Sequence, residues 1–431
     1  MERFGGAVRF VAAAAALICL LGACALTGAG PQAVGFGAGG RSVPSVVGLE
    51  GCEPAWVGAW HAAAEPAPTD PALAGRTLRM IVVPQATGSQ VRVRVSNAYG
   101  TTPMTLGSVS VAWSDGAAGL VPDTLRPVAF AGHPDVVVAP GTEAVSDPVS
   151  VVAQAGRPLA VSMFLPVAPD VLTRHEVALQ TSYLSVPGDA SLVDDGAAFD
   201  TPVGSWMVLT GVDVLAPRPV NTVVAVGDSI TDGVGARAGE RWPDALARRL
   251  TATGGTAAMS VLNAGISRNQ LLAGDAPLTR FDRDVTGASD VVLHIGTNDI
   301  AAGRGADEII DGLVAFARHA RAAGVRVVLT TITPSATGAH GTPAARATRD
   351  AVNAWVRVHG REHADGVADF AAAVHDPRDP TRLAAAFDSG DGLHLSAAGY
   401  RALADALDPG LLTGSPCLAD QSPARVLVSG P

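Results

Sequence analysis

Between residues 56 and 214 apolar and polar positions alternate in short runs. Val91, Val93 and Val95 point one way and Arg92 and Arg94 the other, the period-two mark of a half-buried strand. Similar runs lie at 78–83, 106–113, 135–138, 159–165, 177–184 and 206–214. Turn sequences such as Asn97-Ala98-Tyr99-Gly100, Ser114-Asp115-Gly116 and Pro187-Gly188-Asp189 separate them. No helical periodicity interrupts. About seven short strands at this spacing predict an all-β, jelly-roll-like sandwich over 51–216.

The pattern changes at Ala216-Pro217-Arg218-Pro219. Continuous apolar strands are expected at 222–226, 258–264, 290–295, 325–332 and 367–370. Helical periodicity marks 241–250, 307–323 and 396–407. A further helix starts at Thr342-Pro343, with threonine as cap and proline in the first turn. Strands alternating with helices predict a parallel sheet covered on both faces, a three-layer α/β/α domain over 220–412. Residues 413–431 form a C-terminal tail.

The N-terminus reads differently from both parts. Arg3 and Arg9 precede the apolar residues 11–21, a run too short to span a bilayer and suited to a signal segment over 1–24. Two cleavage readings compete. Ala23-Cys24-Ala25 would release a secreted protein. Leu21-Gly22-Ala23-Cys24 resembles a bacterial lipobox and would leave the chain lipid-anchored at Cys24. Either way export is expected, with a membrane partner only through that anchor. Residues 25–50, rich in Gly, Ala, Pro and Ser, read as a tether. In an oxidising compartment Cys52 and Cys417 could pair.

Formal charge is −10 with no lysine and no basic run, which argues against a nucleic-acid partner. His, Cys and carboxylates show no metal-ligand spacing, and no phosphate-loop sequence follows Gly227. No metal or cofactor is expected.

Four blocks carry the chemistry: Gly227-Asp228-Ser229-Ile230, Asn263-Ala264-Gly265, Gly296-Thr297-Asn298-Asp299 and Asp391-Gly392-Leu393-His394. Ser229 follows a buried strand, where open α/β sheets form their sites. Asp391 lies three residues before His394, close enough to fold back on one imidazole nitrogen and turn the other toward a serine. Gly265 and Asn298 each follow a strand and offer N–H donors. Together the blocks supply a nucleophile, a base, an orienting acid and oxyanion donors.

The ordered set resembles the SGNH (GDSL) hydrolases over about residues 220–410. The resemblance implies a flavodoxin-like catalytic domain and an exported serine esterase. It implies a triad of Ser229, His394 and Asp391, and an oxyanion hole of the Ser229 N–H, Gly265 and Asn298. The β region is similar to one attached to secreted bacterial members linked to xylan breakdown. That hints at short-acyl esters of a small molecule or a polysaccharide. Lipid esters, acyl transfer to another alcohol, and a non-catalytic glycan-binding role are the alternatives. His294 is expected to pack near the site, and His340, His359, His363 and His375 to be solvated. Trp242 is expected to pack the first helix, and Trp56, Trp60, Trp113 and Trp206 to be core more than a sugar-stacking face.

Overall fold

The computed structural model describes residues 52–419. The expected signal segment, the tether, the lipidation position Cys24 and the end of the C-terminal tail lie outside the described residues. Among the described residues no helix is long and apolar enough to cross a membrane.

The N-terminal part contains two main antiparallel sheets. One orders the strands Ala55–His61, Leu209–Ala216, Val91–Ser96 and Glu143–Val145. The other orders Thr201–Val203, Ser182–Leu184, Arg76–Val82, Leu159–Leu165, Ser108–Trp113 and Arg126–Val128. Val91, Val93 and Val95 of the first and Leu78, Met80 and Val161 of the second fall in one buried cluster, so the sheets share a core. Arg92 turns outward and its guanidinium lies 4.0 Å over the Trp56 ring. Trp60 and Trp206 are buried edge to face in that core. Trp113 is partly buried against the same core, with Arg157 over its ring.

Three details depart from the pattern reading. The run 106–113 breaks at Gly107, where a Cβ would lie 2.9 Å from the Phe164 ring. The run 206–214 breaks at Val208, which adopts φ 67°. That kink sends Trp206–Met207 to a small sheet with Val171–His175, while Leu209–Ala216 joins the first main sheet. The expected strand 177–184 is confined to Ser182–Leu184, and Val171–His175 is an additional strand.

The C-terminal part is a five-stranded parallel sheet: Thr222–Gly227, Ser260–Gly265, Asp290–His294, Arg326–Thr330 and Gly366–Ala368. Counted along the chain, their spatial order is 2-1-3-4-5. The apolar strands feed both faces. Val224, Val226, Val291 and Leu293 pack under the helices Ala306–Ala322 and Pro343–His363. Val223, Ala225, Val292 and Val328 pack under Trp242–Thr253 and Ala397–Ala406. Three layers follow. Thr342 and Ser396 cap their helices by accepting the N–H of Ala345 and Gly399. Trp242 is fully buried against Phe370, a core residue as expected.

The two parts share contacts. Ala62 bridges Asn263 in parallel, extending the strand Ser260–Gly265 at the sheet edge. Ser260 Oγ donates to Gly58 O at 2.6 Å. Cys52 and Cys417 form a disulfide across a sequence separation of 365. For so long a loop the chain-entropy model gives about 6 kcal/mol, above what such bonds usually deliver. Replacing both cysteines by serine should lower unfolding stability by roughly 2–5 kcal/mol. Denaturant titration of the oxidised protein beside the double variant reads this directly, and equal midpoints would refute it.

Candidate active site

In this strand order the connections leaving strands 1 and 3 diverge, opening a crevice beyond their carboxyl ends. Ser229 follows strand 1 and Asn298 follows strand 3, so both sit at that crevice. The turn out of strand 1 is tight. A Cβ on Gly227 would lie 2.3 Å from His294 O and 2.2 Å from Thr231 Oγ1, so only glycine fits. Asp228 caps the one-turn helix Ser229–Asp232 by accepting the Ile230 N–H at 3.0 Å.

His394 Nε2 lies 2.9 Å from Ser229 Oγ and its Nδ1 lies 2.6 Å from Asp391 Oδ2. A carboxylate only accepts, so Nδ1 carries the proton and Nε2 is free to accept from the serine hydroxyl. The acid folds onto its own loop. Asp391 Oδ1 accepts the N–H of Leu393 and of His394, which fixes Oδ2 toward the ring. Burial raises the Asp391 carboxyl. The imidazole bond and the two backbone donors outweigh that and leave it below the usual carboxylate range.

The expected oxyanion donors fare unequally. Asn298 Nδ2 gives one hydrogen to Asn269 O at 2.9 Å, leaving the second free. Gly265 differs from the expectation: its N–H donates to Asn263 Oδ1 at 2.9 Å and is already engaged. Its lack of a side chain serves packing instead. A Cβ there would come within 2.2 Å of Asp232 N, blocking the nucleophile helix. Among the described residues no acceptor meets the Ser229 N–H.

His294 is buried, with Nδ1 2.8 Å from Thr330 Oγ1, and its pKa is pushed down to about 3 by burial. It is a neutral packing residue, as expected. His340 is not fully solvated: it is half-buried, and Nδ1 lies 3.2 Å from the carbonyl oxygen of Thr297, the residue before Asn298.

Several residues that sequence reasoning passed over complete the site. Asp232 ends the nucleophile helix at 1% exposure. Its Oδ2 accepts from Ser267 N at 3.0 Å and Ser267 Oγ at 2.5 Å. Its Oδ1 lies 3.0 Å from Nε2 of His175, in the β part. The other ring nitrogen of His175 lies 2.8 Å from Ala63 O. Both nitrogens therefore face acceptors, and only the imidazolium has two N–H donors to offer. Burial pulls that imidazolium's pKa down, but the charge and hydrogen bond of Asp232 outweigh it, and the value is raised. A second histidine of the β part, His61, lies 3.2 Å from Asp284 Oδ1. Asp284 also pairs with Arg280, whose Nη2 donates to Asn269 Oδ1 at 3.1 Å. Position 232 lies two residues beyond the block that ends at Ile230. A lone histidine 57 residues away gives no local signal.

Asp228 beside the nucleophile is buried, and its Oδ2 has no partner. Burial raises its pKa to about 7. Folding therefore favours the protonated carboxyl. The cost of keeping the proton begins near the ordinary value of 3.8 and is complete above about 7. Asp228→Asn removes that cost. Its stability relative to the parent should rise by roughly 2–4 kcal/mol between pH 5 and pH 8, measured by denaturant unfolding. A pH-independent difference would show that Asp228 ionises freely in the fold.

The model of the GDSL-like lipase/acylhydrolase family matches residues 225–402. Solved structures match part of the chain at low identity. One is a member of the lipolytic protein G-D-S-L family from Veillonella parvula DSM 2008, 21% identical over 43% of this chain and 94% of that one, TM-score 0.36. Another is a GDSL-like lipase from Bacteroides thetaiotaomicron VPI-5482, 22% identical over 44% and 87%, TM-score 0.35. A third is a catalytic mutant of an acetylxylan esterase from Geobacillus stearothermophilus, 21% identical over 43% and 91%, TM-score 0.34. No curated protein matches the chain. With its four blocks gathered at the carboxyl ends of a 2-1-3-4-5 sheet, the chain carries a GDSL-like lipase/acylhydrolase domain over residues 225–402, on the GDSL/SGNH α/β fold.

Proposed function

We propose that this protein is an exported serine ester hydrolase that removes short acyl groups, acting through Ser229, His394 and Asp391. The hydrogen-bond chain from Ser229 Oγ through His394 to Asp391 carries the reading. Ser229 Oγ attacks the ester carbonyl while His394 Nε2 takes its proton, and Asp391 steadies the imidazolium. The oxyanion is met by the Ser229 N–H and the free hydrogen of Asn298 Nδ2. His394 returns the proton to the leaving alcohol. Water, deprotonated by the same base, then releases the acid and frees the serine.

Two features bear on substrate and location. A hollow of about 220 Å³ lies beside the site, with Glu65, Ser267, Arg268, Asn269, Gln270 and Asp275 among its lining. Its polar side chains, on the loop whose Asn269 carbonyl holds Asn298, favour a hydroxyl-rich alcohol portion over a long lipid. The Cys52–Cys417 disulfide and the N-terminal apolar run support export to an oxidising compartment.

The decisive experiment is hydrolysis of para-nitrophenyl acetate, butyrate and palmitate by residues 26–431. The rate should fall steeply with chain length. A rate rising with length would replace this reading with a lipase. Ser229→Ala should abolish turnover with the thermal midpoint almost unchanged; retained turnover would remove Ser229 as nucleophile. Asn298→Ala should lower kcat by about 100–1,000-fold with little change in KM, since its donor acts on the transition state. A rise in KM alone would make Asn298 a substrate contact instead.

A further inference from the structure

We propose that His175, contributed by the β part of the chain, is a positioning residue for the Ser229 site, acting through Asp232 on both the nucleophile helix and the oxyanion loop. The inference rests on the acyl-transfer reading of Ser229.

Asp232 joins the two segments. Its backbone belongs to the helix that begins at Ser229, and its N–H donates to Asp228 O at 2.9 Å. Its carboxylate reaches forward to Ser267 by two bonds. Ser267 begins the turn that ends at Asn269, where the Asn269 N–H donates to Ile266 O at 3.0 Å and the Asn269 carbonyl holds Asn298 Nδ2. One carboxylate thus fixes the distance between the nucleophile and the oxyanion donor.

A carboxylate so deeply buried keeps its charge only beside a partner. Among the described residues His175 is its ion-pair partner. The imidazolium is itself held by Ala63 O and by Val177 O at 3.2 Å, and its ring lies 5.5 Å from the Trp206 ring. Without His175, the Asp232 carboxylate would lose the donor facing its Oδ1, and its grip on Ser267 would change. A buried ion pair is weak evidence for stability, since apolar groups of equal volume often serve as well. Its value here is the fixed geometry it gives to two acceptor-bound ends. The second bridge, His61–Asp284–Arg280–Asn269, reaches the same loop from the same part of the chain.

The test uses the full mature chain as wild type, His175→Ala, His175→Gln and Ser267→Ala, with Ser229→Ala as background. Two quantities are read: kcat and KM for para-nitrophenyl acetate, and the second-order rate of Ser229 phosphonylation by a fluorophosphonate. The second reads alignment at Ser229 without depending on the natural ester. His175→Ala should lower kcat and the labelling rate by about 10–100-fold with KM within about twofold, at temperatures well below its melting point. His175→Gln keeps a donor toward Asp232 and should recover most of the loss. Wild-type labelling of folded His175→Ala, or a loss matching only its unfolded fraction, overturns the inference and leaves the esterase reading intact. Should His175→Ala not fold, Ser267→Ala decides. It keeps the ion pair, and should still lose about tenfold in kcat with KM unchanged; full activity overturns the proposal. If Ser229 of the wild type neither labels nor turns over ester, the catalytic reading and this inference fall together.

Discussion

The parallel pairing of Thr222–Gly227 with the strands on either side of it is the constraint on which the site depends. A central strand of a parallel sheet must exit at its carboxyl end, and handed crossovers carry the neighbouring exits apart. The gap is thus a product of connectivity, not of any particular side chain. What the residues add is closeness. Gly227 and Gly265 face each other in register; Gly227 leaves room for the Thr231 side chain and the His294 carbonyl, and Gly265 for the helix backbone at Thr231 and Asp232. Ser229, His394 and Asn298 then come from three separate segments that meet beyond the carboxyl ends of the sheet.

The β part belongs to this arrangement and is not merely appended to it. Its first strand continues as a bridge onto the sheet edge, and two of its histidines face carboxylates that organise the loop after strand 2. Arg241, the cap of the first long helix, donates back to Ala178 O and lies near the Trp206 ring. His175 and His61 are buried where two architectures meet, and each faces a carboxylate on the other side, Asp232 and Asp284. Such a joint tolerates little sliding, because a shift of one residue would strand a charge in a low dielectric.

Much of this was legible from sequence, for physical reasons. Parallel strands buried on both faces read as continuous apolar runs, and Thr342-Pro343 and Ser396 announce their helices through capping chemistry. The loop Asp391–His394 was legible because the two residues are local partners. What escaped was long-range pairing. Val171–His175 pairs only along its flanks with short strands, and its polar Thr173, Arg174 and His175 obscure the alternation. Gly265 was read as a donor because glycine after a strand offers a bare N–H; sequence does not reveal that Asn263, two residues earlier, turns its side chain onto it. Val208 looks like an uninterrupted strand position until its left-handed turn is seen.

The bond between Cys52 and Cys417 has a consequence for how the molecule is made. During synthesis the first of these thiols emerges hundreds of residues before the second, so the β part and the catalytic sheet must collapse while the earlier thiol is still waiting. Closure is then an inspection of finished work. Only a chain whose two ends have already been brought side by side by correct packing can complete the ring, and a misassembled one keeps two thiols open.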